Sequence, residues 1–175
     1  MGLNMKHTIS VLVENHPGVL SKVSGLFSRR AFNIDSLAVG ITEDSSVSRI
    51  TIVVNGDDYV IEQVEKQLNK LIDVIKVKTL KVGEFISREL ILIKVHANAS
   101  TRSEVVQIAE IFGAKIVDVS RTTLTIEYSD TSAQIQSFEE MLEPYGIREI
   151  ARTGTIALER SGSLKAKAAL LEEPQ

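Results

Sequence analysis

The sequence predicts an α+β protein made of two tandem units, each with the element order strand-helix-strand-strand-helix-strand. Three observations predict it. Between residues 8 and 30 the spacing of apolar residues changes from two to three and four, the signature of a strand passing into a helix. The same order of periods starts again at Leu90, although the two halves share little residue by residue. Between them lies a glycine-led stretch of mixed charge without a clear period. With 175 residues the chain can bury one large core or two small ones, and it is the repeated order that favours two.

The first strand is read from Thr8 to Glu14, where Ile9, Val11 and Val13 alternate with Thr8, Ser10, Leu12 and Glu14. A helix follows from about Pro17 to Arg30, with Val19, Leu20, Val23, Leu26 and Phe27 on its apolar face. Pro17 suits a first helical position, and Asn15 or His16 lies where the chain turns. Gly18 admits two readings. It relieves a tight corner where a Cβ would clash, or it lets an anion approach the partly positive N–H groups of a helix start.

Leu37, Val39 and Ile41, then Ile50, Ile52 and Val54, alternate around the polar turn 42–46 as a hairpin. Asn55 to Asp58 breaks the pattern, and Asp58 is placed to cap a second helix. Its stripe is Ile61, Val64, Leu68, Leu71 and Ile72, with Glu62 and Lys66 paired on the wet side. Val74 to Val82 is a fourth strand, in which Ile75 and Val77 alternate with Lys76 and Lys78. Residues 6–82 therefore form a split βαβ, or ferredoxin-like, unit with both helices on one face of an antiparallel sheet.

Residues 83–89 are read as a connector and residues 90–160 as the second ferredoxin-like unit. Leu90 to His96 is its first strand. Thr101 to Glu104 is a capping box opening a helix with Val105, Ile108, Ala109 and Phe112 inward, stopped by Gly113. Lys115–Ser120 and Thr123–Tyr128 make a hairpin, with Leu124, Ile126 and Tyr128 on one face. Asp130 or Thr131 caps the last helix, whose stripe is Ile135, Phe138, Met141 and Leu142. Ile147 to Glu159 is a final strand interrupted at Gly154, and residues 161–175 are a tail expected to fray or to dock on a partner.

Several function classes are excluded on chemical grounds. A net charge of −3 with both signs interspersed argues against nucleic acid or an anionic membrane as the main partner. RNA-recognition modules share this topology, but the central strands carry no aromatic side chain on which a base would stack. No stretch approaches a membrane span, and the first residues lack the marks of a signal or transit peptide. The absence of cysteine removes disulfides, thiolate nucleophiles and Cys-based zinc, and fits a cytoplasmic setting. His7, His16 and His96 stand in different settings with no metal-ligand spacing, and no nucleophile elbow or phosphate loop is present. No catalytic or metal residues are therefore expected, and a small-ligand sensor or partner-binding module remains.

Three runs carry a more specific likeness: Ser10 through Leu20 (Ser-Val-Leu-Val-Glu-Asn-His-Pro-Gly-Val-Leu), Gly25-Leu26-Phe27-Ser28-Arg29-Arg30 and Phe32-Asn33-Ile34-Asp35-Ser36-Leu37. Ser48-Arg49-Ile50-Thr51-Ile52, Glu62 to Leu71 and Arg88-Glu89-Leu90 extend it. Glu110-Ile111-Phe112-Gly113 and Ala151-Arg152-Thr153-Gly154 carry it into the second half. From Lys6 to Arg160 the chain resembles the regulatory small subunit of acetohydroxyacid synthase (acetolactate synthase), whose N-terminal half is an ACT domain.

The resemblance implies a subunit without an active site that activates the catalytic subunit and confers feedback inhibition by valine or another branched-chain amino acid. It implies effector contacts at Asn15, Gly18, Val19, Asn33 and Ile34, with Asn33 reaching the effector across a homodimer interface. Thiamine diphosphate, Mg²⁺ and FAD would belong to the catalytic partner. The strand from Ser36 to Ile41 has no Pro or Lys to blunt an edge, which suits pairing between two copies. The alternative is a stand-alone tandem ACT amino-acid sensor that regulates transcription or a different enzyme; no basic stripe or DNA-reading helix pair supports direct DNA control.

Overall fold

A computed structural model describes residues 5–30 and 32–161. The chain divides into two compact units between Ile86 and Ser87, and residues 156–161 group with the first.

The first unit runs β1 (Met5–Glu14), α1 (Val19–Arg29), β2 (Ile34–Ile41), β3 (Val47–Gly56), α2 (Asp58–Leu68) and β4 (Val74–Leu80). Its antiparallel sheet has the order β2-β3-β1-β4, so the first strand is central and β2 is an edge. Ile9 faces Ile52 and Val11 faces Ile50 in register. This puts Ile9, Val11, Val13, Ile50, Ile52 and Val54 on one face, where they are buried against Val19, Val23, Leu26 and Phe27 of α1 and Ile61, Val64 and Leu68 of α2. Burying such side chains contributes about 1.5–3 kcal/mol each.

Local chemistry corrects several expectations here. Helix α1 begins at Val19, not Pro17, because Gly18 sits at the N-cap with a left-handed φ of 91° that a proline-started helix would not need. Asp57, not Asp58, caps α2, its carboxylate accepting from Val60 N at 2.9 Å; Asp58 is the first helical residue. The helix stops at Leu68, so Ile72 lies beyond the stripe and is 92% exposed. In β4 the ladder slips between Leu12 and Val13, and the bulge turns Ile75 outward while Val74 packs on the core. Strict alternation across Ile75 and Val77 fails for that reason.

The second unit contains most of β5 (Phe85–His96), then α3 (Arg102–Phe112), β6 (Lys115–Val119), β7 (Thr123–Asp130), α4 (Ser132–Leu142), a 3₁₀ turn (Glu143–Tyr145) and β8 (Ile147–Arg152). Its strands lie in the order β6-β7-β5-β8, which repeats the pattern of the first sheet. Phe112, Tyr128 and Phe138 form a triangle of rings with centroids 4.9–5.8 Å apart in its core. Gly113 ends α3 with φ 69°, as its position predicts.

Four differences stand out in this half. Strand β5 already begins at Phe85, so most of the stretch read as a connector is strand. The capping box does not form: Asn98 Oδ1 takes the N–H groups of Ser100 and Thr101, and Glu104 accepts from the Tyr145 hydroxyl instead. Met141 is half exposed instead of inward, although Thr131, one of the two caps the sequence offered, does cap α4. A separate strand β9 (Ile156–Glu159) follows the break at Gly154, whose φ is 78°; it groups with the first unit, as do the first two residues of β5. Apart from Ser161, the tail expected at 161–175 lies outside the described residues.

Candidate functional site

The loop joining β1 to α1 is held from three directions. Glu14 N donates to Asp73 O at 2.9 Å, tying the end of the central strand to the turn before β4. Asn15 N donates to Ser46 O at 2.7 Å and Asn15 Nδ2 to Ser45 O at 2.9 Å, which fixes the loop to the β2–β3 turn. Lys22 N donates to Gly18 O at 3.1 Å and starts the helix. Val19, next in line, is 3% exposed and anchors α1 in the core.

Gly18 resolves the two readings of the sequence in an instructive way. A Cβ built at this position would meet nothing within 4 Å, so no corner clash exists. The glycine is required by its φ of 91°, a region that L side chains avoid. With glycine at the N-cap there is no side-chain oxygen to occupy the N–H groups of the first turn. The helix start is an exposed backbone donor surface carrying partial positive charge.

Asn33 and Ile34 stand elsewhere. Asn33 is exposed and donates through Nδ2 to Asp35 Oδ1 at 2.9 Å, and Ile34 opens β2 with its side chain packed against the core edge. They follow the C-terminal end of α1, whereas Asn15, Gly18 and Val19 lie at its N-terminal end. The helix has 11 residues, which sets the two groups roughly 16 Å apart along its axis. One copy of the chain does not bring all five residues together.

Sequence reasoning missed the cluster beneath the loop. Asp73 is 5% exposed; its Oδ2 accepts from Lys22 Nζ at 2.6 Å and its Oδ1 lies 3.1 Å from His16 Nε2. The same imidazole nitrogen is 3.3 Å from Glu14 Oε2, while His16 Nδ1 lies 3.1 Å from Pro17 O. No metal-ligand spacing surrounds His16 in the sequence, yet the fold brings carboxylates to it: Glu14, His16 and Asp73 place ligand-type atoms within 4.8 Å of one another. The Lys22 ammonium already meets the charge of Asp73, so the group is an ion-pair cluster closed by the chain's own cations. The hydrogen bond from Lys22 holds the Asp73 carboxyl below its ordinary range, helped by the charges of Lys22 and His16. His16 is held above 6.5, first by its bond to the Pro17 carbonyl and further by the charges of Asp73 and Glu14. No spacing in the sequence announces this, because Asp73 is 57 residues from His16.

Among the described residues no helix is long and apolar enough to cross a membrane.

Comparison with known proteins supplies a family context. Residues 9–76 match the model described as an AHAS small subunit-like ACT domain, and residues 88–161 match that of the small subunit of acetolactate synthase. The chain is 54% identical over 156 residues to a probable acetolactate synthase small subunit of Archaeoglobus fulgidus, covering 89% of this chain and 98% of that one. It is also 54% identical over 154 residues to the acetolactate synthase small subunit of Mycolicibacterium smegmatis, covering 88% and 91%. A crystal structure of the small subunit from Thermotoga maritima superposes with a TM-score of 0.84 at 42% identity, covering 91% of this chain and 99% of that one.

Proposed function

Because the chain belongs to the acetolactate synthase small-subunit family, we propose that it is a non-catalytic regulatory subunit. In this reading it activates the catalytic subunit and makes it sensitive to valine or another branched-chain amino acid. The observation that carries the reading is Gly18. Its left-handed N-cap leaves the first-turn N–H groups of α1 unmasked at a loop edge, a backbone site suited to an α-carboxylate. Asn15, whose amide is already aimed by Ser45, and the base of α1 at Val19 complete one half of the effector site.

The other half, Asn33 and Ile34, comes from a second copy in this reading. Edge strand β2 supports it, since Val39 and Ile41 on that strand are 47% and 66% exposed and no Pro or Lys discourages pairing. Two copies joined there continue one sheet across the dimer and bring the Asn33 amide toward the neighbour's loop. Thiamine diphosphate, Mg²⁺ and FAD are assigned to the catalytic partner, and this chain supplies no reacting group.

Two measurements test the proposal. The full chain titrated with valine, leucine and isoleucine by calorimetry should bind at least one of them. Added to the catalytic subunit, it should raise the synthase rate and confer inhibition by that amino acid. No binding of any of the three, together with no change in rate, would refute the assignment.

A further inference from the structure

His16 faces only acceptors. Its Nδ1 lies 3.1 Å from the Pro17 carbonyl, and its Nε2 lies 3.1 Å from Asp73 Oδ1 and 3.3 Å from Glu14 Oε2. A neutral imidazole has one N–H and one lone pair, so in this arrangement the lone pair would point at an oxygen lone pair. The imidazolium, with both nitrogens as donors, satisfies all of these contacts at once. The charged groups around it come from each element it meets: Glu14 from β1, Lys22 from α1 and Asp73 from the turn before β4. Asp73 stays ionised because the Lys22 ammonium is 2.6 Å from its other oxygen.

We propose that Asp73 is the positioning residue of the effector loop and acts through a doubly protonated His16. The carboxylate sits in the unit's interior and reaches three parts of the loop system at once. Its backbone oxygen holds Glu14, its Oδ1 holds His16 and its Oδ2 holds Lys22 one turn into α1. Asn15 and Gly18 lie between these points, so the clamp sets the path of the backbone that carries both of them. Losing the His16 proton turns one attractive contact into a repulsive one and loosens the loop. Effector affinity is therefore greatest below the folded-state titration of His16 and falls as pH rises through it. A group raised in the folded protein gives its contribution below the unfolded value and loses it above the folded one. This inference rests on the effector reading of the loop.

The first test needs no effector. In the full-length protein, side-chain NMR should follow the titration of His16 and the protonation of both its ring nitrogens. His16 should titrate above 6.5, the ordinary imidazole value, with both nitrogens carrying protons on the acid side. Asp73→Asn should lower its midpoint. A His16 midpoint at or below 6.5, or one indifferent to Asp73→Asn, overturns the clamp.

The second test is calorimetry of valine binding from pH 5.5 to 8.5. Wild-type affinity should fall toward alkaline pH with a limiting slope of about tenfold per unit for one linked proton. His16→Gln, on an exposed loop and so tolerated by the fold, should bind more weakly at acid pH and lose that slope. A pH-independent wild-type affinity, or the same slope in His16→Gln, overturns the proposal. Absence of binding of valine, leucine and isoleucine at every pH, together with no change in synthase rate, refutes the effector reading, and the NMR titration still decides the clamp.

Discussion

In the proposed function, folding and effector binding rank the substitutes for Gly18 differently, so substitutions there separate the two. The residue sits at φ 91° with nothing within 4 Å of a Cβ, so an added side chain is penalised by backbone conformation alone. A left-handed L residue costs about 1–2 kcal/mol. Replacing glycine by alanine recovers about 0.4–1 kcal/mol through the less flexible unfolded chain. Gly18→Ala should therefore lose about 1 kcal/mol net, a fall of roughly 4–8 °C in melting temperature for a domain of this size. Asparagine adopts this region far more readily, so Gly18→Asn should cost less. Gly18→Asp carries the strain, but its negative charge at a helix start returns about 0.3–1 kcal/mol, leaving it no less stable than Gly18→Ala. Binding should follow the reverse order. Aspartate places a carboxylate where the effector's carboxylate is to be held, and alanine adds only a methyl group in open space. Melting curves of all four proteins, with and without valine at about one hundred times its Kd, read both quantities, since that excess adds about 2.7 kcal/mol to a binder. Gly18→Ala should keep most of the valine-induced rise and Gly18→Asp should show none. An equal rise in Gly18→Asp and wild type would remove the carboxylate from this helix start. Equal destabilisation by alanine and asparagine would show that φ is not what selects glycine here.

Asn33→Ala should weaken effector inhibition about five- to 150-fold, the loss of a hydrogen bond worth roughly 1–3 kcal/mol to a charged ligand. Activation of the synthase should persist, as reconstituted rate against valine concentration would show; an unchanged inhibition curve, or parallel loss of activation, would refute the role. Light scattering of the full chain at micromolar concentration should give a dimer. Ile41→Lys on the exposed edge of β2 should shift it toward monomer, and a strictly monomeric wild type would end the edge-pairing model. In the second unit Phe138 is fully buried among Phe112 and Tyr128, so Phe138→Ala should cost about 3–5 kcal/mol in chemical denaturation; a loss under about 1 kcal/mol would mean the ring triangle is not a packed core.

Local information in the chain was enough for the architecture. The core strips of β1, β3, β5 and β7 alternate because a strand shows its faces by turns, and the helix stripes repeat every three or four residues because successive turns stack. Both are properties of neighbours in sequence, so Ile9, Val11, Val23, Phe27 and Ile126 were assigned inward correctly. The same logic misled at Ile75 and Ile72. A bulge and a helix end break a period without leaving a residue type that marks them. Capping was readable only as far as composition allows: Asp57, Asp58 and Thr101 are all acceptable cap types, and of the three only Asp57 accepts from an N–H of its helix's first turn.

The loop between β1 and α1 divides in the same way. Asn15 and Gly18 could be found in the sequence because glycine beside a strand-to-helix change has few uses, although its reason proved to be a positive φ and not a crowded corner. Asp73 could not be found. Its meaning depends on meeting His16 across 57 residues and Lys22 across 51, a contact made only when β4 returns beside β1 in the sheet. Charge pairs at such separation leave no period and no spacing. Burial then gives that carboxylate its force, because Asp73 shielded from water holds a lysine and a histidine that an exposed aspartate on the same turn would leave to solvent.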